Sequence, residues 1–220
     1  MNIKLTYNWI LDYLETNCNP YDFAKYLSLC GPSFERIEKK CDDFIFDIEI
    51  TSNRIDVASA FGIAQEAAAI LPTFNIKALL KNNPLNKYFF PKVAMQKDNL
   101  DVKILDSNLC SRFSAIIFEN IKIQKSEESI SKRLDLCGIK TINNVVDISN
   151  YIMLTIGQPC HIFDYDKMKD HKMILRKSKK GEKIQLLDNS IINLPGGDIV
   201  IEDGSKKLVE IGRASCRERV

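Results

Sequence analysis

Apolar positions along the chain switch between two periods. Val145, Ile148, Ile152 and Thr155 recur at helical spacing, so the pattern predicts a helix over about 145–156. Gly157 suits the left-handed position just past a helix end, and Pro159 cannot continue the helix. Earlier, Trp9, Ile10, Tyr13 and Leu14 mark a first helix that Thr6 can cap. Asn19-Pro20 reads as a cap with proline at the first helical position, and Phe23, Leu27 and Cys30 form the buried stripe up to Gly31-Pro32. Phe44, Phe46, Ile48 and Ile50 alternate with Ile45, Asp47 and Glu49 as in a half-buried strand. Val57, Phe61, Ala64, Ala68 and Leu71 then return to helical spacing, with Asp56 placed to cap them.

A second run of elements begins near residue 100. Val102, Ile104 and Phe113 to Ile123 read as strands, and a helix follows in which Ser126 is the candidate cap. Glu127 and Glu128 favour that helix's N-terminal dipole, Ile130, Leu134 and Cys137 line one face, and Gly138 ends it. Short strands are expected at 173–176, 184–187, 191–194, 199–202 and 207–211, with Asp203-Gly204 as a hairpin turn. The fold class this implies is α+β, in two small mixed units. The expected boundaries are 1–72 for the first unit, 73–99 for a linker broken by Asn82-Asn83-Pro84 and Pro91, and 100–212 for the second. Within the linker, aromatic and basic residues alternate from Lys87 to Lys92, which fits a strand packing on the next unit or a stacking surface for nucleic acid.

Composition narrows the function classes. A net charge of +2 over 220 residues gives no bias towards a polyanion. Seven cysteines lie scattered without CxxC pairs beside only two histidines, which argues for reduced thiols rather than structural zinc. No apolar run is long enough to span a bilayer and no signal peptide is evident, so the expected location is the cytoplasm. The last eight residues hold three arginines and no lysine, whereas the first 212 hold 23 lysines and five arginines. Residues 213–220 are therefore read as a non-native tail.

Two stretches carry candidate chemistry. Ser149 and Asn150 place a hydroxyl and an amide on the 145–156 helix, and His161 follows the redirecting Gly157-Gln158-Pro159. A hydroxyl, an amide and an imidazole converging beside apolar walls would make a small-molecule pocket; satisfied core polar groups are the plainer reading. Asn53, Arg54 and Asp56 form a polar corner between a strand and a helix, read as turn chemistry with an Arg–Asp tether.

Both stretches resemble motifs of the β subunit of bacterial phenylalanyl-tRNA synthetase. VVDISNYIMLTIGQPCHIFD is similar to that family's VVD-(I/V)-TNY…GQP-x-HAFD, and EITSNRID followed by GIAQEAAAIL to its E-(I/V)-T-x-NR-x-D…GIARE. The resemblance implies that Ser149, Asn150, Gly157, Gln158 and His161 belong to an editing pocket that hydrolyses tRNA mischarged with tyrosine, and that the second unit is an incomplete editing-type domain. It implies a structural and interface role for the corner of Asn53, Arg54 and Asp56. Partners would be the α subunit, in an αβ heterotetramer, and tRNA. ATP and magnesium would serve the full enzyme and none is expected in this fragment, which alone would not charge tRNA. The family's oligonucleotide-binding insert has no counterpart here, since only about Phe34 to Asp43 lies where it would sit, so tRNA affinity is expected to be low. Ser149 replaces the family's threonine, and an editing glutamate would fall beyond the end of the chain. A free-standing aminoacyl-tRNA deacylase and a non-catalytic interaction module are the alternatives.

Overall fold

The computed structural model describes residues 1–87, 100–185, 190–205 and 207–212. Chain contacts divide it into two compact units, one of Met1–Phe90 with Lys122–Ile162 and one of Pro91–Ile121 with Phe163–Val220. This differs from the division at residues 72 and 100. The helices after residue 122 fold with the N-terminal residues, because Leu134, Cys137, Tyr151 and Leu154 pack into the core there.

In the first unit, β1 (Asn2–Thr6), β4 (Asp43–Glu49) and β3 (Ser33–Lys40) form an antiparallel sheet in the order β1-β4-β3. The short helix α1 (Tyr7–Leu11) follows β1 directly, and the Thr6 hydroxyl accepts from the Trp9 N–H. Asn19 caps α2 (Pro20–Cys30) by accepting from the Tyr21 and Asp22 amides. The helix after the polar corner, α3 (Ala60–Ile70), is capped by Ser59, whose hydroxyl accepts from Gly62 N–H. Asp56 is not the cap: a 3₁₀ turn over Ile55–Val57 intervenes, and Arg54 holds the Asp56 carboxylate. Part of the expected linker is structured too, since β5 (Ala78–Leu80) pairs antiparallel with β2 (Leu14–Thr16).

Two later helices complete this unit, α4 (Glu128–Leu136) and α5 (Asn144–Ile156). Leu134, Cys137 and Leu154 join a core containing Leu5, Trp9, Ile10, Phe23, Phe46 and Ile63. Trp9 stacks on Tyr151 at 4.7 Å between ring centroids. Arg133 lies over the Trp9 ring at 5.4 Å, donates to the Tyr151 hydroxyl at 2.8 Å and pairs with Asp12 at 2.7 Å. A stacked pair with a cation on its face adds directional attraction to the buried area.

The second unit holds a four-stranded sheet in the order β11-β10-β7-β6, of β6 (Asp101–Ile104), β7 (Lys172–Lys177), β10 (Ile199–Glu202) and β11 (Leu208–Gly212). Only β6 and β7 run parallel. A hairpin of β8 (Lys183–Gln185) and β9 (Ile191–Asn193) accompanies it. Met168, Met173, Leu175 and Ile201 form one small core, and Ile184, Leu194, Val200 and Leu208 another. Arg176 is the polar centre of this unit. Its guanidinium, 11% exposed, bonds Glu202 at 2.6 Å and Glu182 at 2.7 Å. In the β10–β11 turn Asp203 accepts from the Ser205 and Lys207 amides. The strands expected over Phe113 to Ile123 do not form: that stretch enters no ladder among the described residues, and Ile116, Phe118, Ile121 and Ile123 stay exposed. The lysine-flanked aromatic stretch lies outside the described residues from Tyr88 on, as do Leu186 and Leu187 and the tail over 213–220.

Candidate functional site

The candidate residues sit on and just after α5. Asn143 caps the helix by accepting from Val145 and Val146 amides at 3.1 and 3.0 Å. Gly157 ends it in the left-handed region, at φ 77°, with its amide bonded to the Met153 carbonyl. A Cβ on Gly157 would stand 3.6 Å from Ser59, so this glycine brings the end of α5 against the start of α3.

The first-turn acid Asp147 anchors the helix. It is 1% exposed and accepts from the Ser126 hydroxyl and, at 2.9 Å, from the Ile142 amide. Ser126 therefore does not cap α4; Glu127 occupies that position without a side-chain bond. Donating to a buried carboxylate outweighs capping for Ser126, because a charged acceptor strengthens the bond and an unbonded buried carboxylate is costly. Asn144 adds a second tether, donating to the Lys122 carbonyl and accepting from the Gln124 amide.

Among the expected pocket residues the polar groups divide sharply. Ser149 donates its hydroxyl back to the Val146 carbonyl at 2.8 Å, a bond within the helix. Gln158 is exposed and donates to the neighbouring Pro159 carbonyl at 3.1 Å. Asn150 is half-buried, and its amide enters no hydrogen bond among the described residues. His161 is exposed on the loop after Gly157 and engages a partner. Two concavities of this unit lie elsewhere. One of about 380 Å³ is lined by Asn17, Asn19, Asp22, Asn75 and Lys77, and one of about 170 Å³ by Cys30, Glu49, Ile50, Thr51 and Arg54.

The polar corner is an ion-pair junction. Arg54 reaches Asp56 at 3.0 Å and Glu66, on α3, at 2.7 Å. Hydrogen bonds from Arg54 hold the Asp56 carboxyl below its usual range, and those carboxylates raise the arginine further. Asn53 is exposed within the turn. Sequence reading missed Glu66 as the second acid of this junction. Its signal was present, since a buried-edge glutamate in the otherwise alanine-rich turn of α3 needs a cation.

The B3/4 domain family matches residues 109–215, a span that takes in α4 and α5 and most of the second unit. Over 171 residues the chain is 39% identical to the phenylalanine–tRNA ligase β subunit of Clostridium tetani, covering 78% of this chain and 21% of that protein. It is 36% identical over 184 residues to the same subunit from Carboxydothermus hydrogenoformans, covering 83% and 22%. A solved N-terminal fragment of the phenylalanyl-tRNA synthetase β subunit from Pyrococcus horikoshii aligns with 96% of this chain and 61% of its own, at 14% identity and a TM-score of 0.41. The chain belongs to the phenylalanine–tRNA ligase β-subunit family, and it spans about a fifth of the length of the curated relatives it matches.

Proposed function

We propose that this chain forms part of a phenylalanine–tRNA ligase, supporting the charging of tRNA with phenylalanine and contributing to hydrolytic removal of tyrosine from mischarged tRNA. The α subunit and tRNA are its partners in this reading. What carries the editing role is Asn150: a half-buried amide with unspent donors and acceptor, on a helix whose other polar groups are consumed in holding it. A synthetic pocket sized for phenylalanine rejects an added hydroxyl by only about a hundredfold. A second site that bonds the phenol reverses the preference, because phenylalanine, closing over the half-buried amide, leaves it unpaired at a cost of up to about 1–3 kcal/mol.

In this scheme Asn150 recognises the tyrosyl hydroxyl, and His161 positions the ester or the attacking water. ATP and magnesium act in the whole enzyme's synthetic reaction. Among the described residues no cluster of three or more His, Cys, Asp or Glu side chains could hold a metal ion, and neither role above passes through one. No helix among them is long and apolar enough to cross a membrane.

The test is made in the complete αβ enzyme containing this sequence. Asn150→Ala and His161→Ala are expected to slow tyrosyl-tRNA hydrolysis by about 10²-fold or more while phenylalanine charging stays near wild type. Charging that falls as far as editing would make both residues supports of the fold and overturn the assignment.

A further inference from the structure

The second unit carries a strongly basic turn that the editing residues do not use. From Arg176 to Lys183 the chain holds five cations and one acid, a net +4 where the whole protein carries only +2. Lys177, Lys179, Lys180 and Lys183 are all exposed. Lys179, Lys180 and Lys183 enter no ion pair among the described residues, and Lys177 approaches only Asp106, at 3.8 Å.

The one acid in the turn is directed inward. Glu182 takes both terminal nitrogens of Arg176, at 2.9 and 2.7 Å, and caps the Lys179 amide at 2.6 Å. Its charge is thus spent mainly on Arg176, and Lys180 and Lys183 outside pair with no acid among the described residues. Asp198 is half-buried and bonded to Ser178 through its carbonyl and its carboxylate.

The backbone beneath these lysines is locked. Glu182 N–H closes the turn on the Lys179 carbonyl, Gly181 N–H bonds the Leu194 carbonyl, and Gly197 N–H bonds the Ser178 carbonyl. Gly196, at φ 94°, lies so close that a Cβ there would stand 3.0 Å from the Lys180 nitrogen. Lysines close together in sequence on a backbone held in one conformation suit a partner whose negative charges are closely and regularly spaced. A nucleic-acid strand meets this with one phosphate per ~3.4 Å of axis.

We propose that Lys177, Lys179, Lys180 and Lys183 form a contact for the phosphate backbone of RNA, and specifically of tRNA. The choice of RNA rests on the ligase reading above; the patch itself rests on charge and geometry. Such a contact is independent of sequence and sensitive to salt. It is a local anchor on a chain whose remaining residues carry no net positive charge.

Fluorescence anisotropy with a transcribed phenylalanine-accepting tRNA, across about 50 to 200 mM salt, measures it. Substituting Lys179, Lys180 and Lys183 together by glutamine is expected to weaken binding at least about tenfold at the low-salt end. The slope of log affinity against log salt should become shallower by about three, one per lysine. A control triple at Lys40, Lys81 and Lys140, exposed on the first unit, should leave the slope near wild type, and both triples should melt like the parent. Equal slope changes in the two triples, or no tRNA complex of the parent chain at low salt, would overturn the proposal. So would patch-dependent binding to phosphatidylserine vesicles with patch-independent binding to tRNA. The assay involves no turnover, so failure of the editing assignment at Asn150 and His161 leaves its result standing, and the reverse.

Discussion

Asp147 ties the first turn of α5 to Ser126 and Ile142. Asp147→Ala removes a buried carboxylate and leaves the Ser126 hydroxyl and the Ile142 N–H without an acceptor. Hydrogen bonds to a charged group contribute about 1.5–3 kcal/mol each. The native carboxylate is itself costly to bury, which offsets part of that gain. The expected net loss is about 2–4 kcal/mol, and Asp147→Asn, which keeps one acceptor, is expected to lose about half as much. Ser126→Ala should lose about 1 kcal/mol, because the carboxylate keeps its amide donor. Since the two groups bond directly, the double variant should fall short of additivity by at least about 0.5 kcal/mol. Urea unfolding followed by circular dichroism reads these values; with a slope of about 1–3 kcal/mol per molar, the alanine variant moves the midpoint by about 0.7 M or more. An Asp147→Ala variant within about 0.5 kcal/mol of the parent, or strictly additive losses, would show that the network does not hold the helix.

Other outcomes follow from charge and burial. Hydrogen bonding to Arg176 holds the Glu182 carboxyl down to about 2 from 4.5. A depressed acid stabilises the fold fully above its unfolded value and loses that contribution as pH falls through its folded one, so the second unit should weaken between about pH 4.5 and 2. With the glutamate side chain 23% exposed, solvent screening brings the loss to about 2 kcal/mol. Melting curves over that range should show the step in the parent and lack most of it in Glu182→Gln; an equal step in both would refute the pairing. Burial pushes the Cys137 thiol up to about 12 and the Cys18 thiol up to about 11, while Cys30, Cys41 and Cys160 are exposed. A thiol reagent at mildly alkaline pH should label Cys30, Cys41 and Cys160 at once and Cys18 and Cys137 only after unfolding. Prompt labelling of Cys137 in the folded protein would contradict the packing of α4 on the first unit.

Several local decisions were legible in the residues themselves. Thr6, Asn19 and Asn143 cap helices because their side-chain oxygens reach free amides within three residues, an interaction that sequence spacing encodes. Gly157 ends α5 for an equally local reason, the left-handed backbone of a helix stop. The motif spanning Val145 to Asp164 identified the family, because that likeness lies in the residues and not in their contacts.

Tertiary structure decided the rest. The acid that a serine chooses, the glutamate that Arg54 captures from α3 and the unit that receives α4 and α5 all join residues far apart in the chain. Periodicity places the apolar stripe of α5 on Val145, Ile148 and Ile152, yet Ile148 is exposed and the face turned to the core carries Asp147, Tyr151 and Leu154, with Trp9 stacked on Tyr151. The same limit explains Phe113 to Ile123: alternation shows a segment suited to a strand, and a strand exists only where a second one supplies its hydrogen bonds. Ser149 and Asn150 are adjacent polar residues with equal claims from sequence. One hydroxyl reaches the carbonyl three residues back, and the longer amide finds no acceptor or donor; that difference, settled by the packed helix, separates the tied group from the available one.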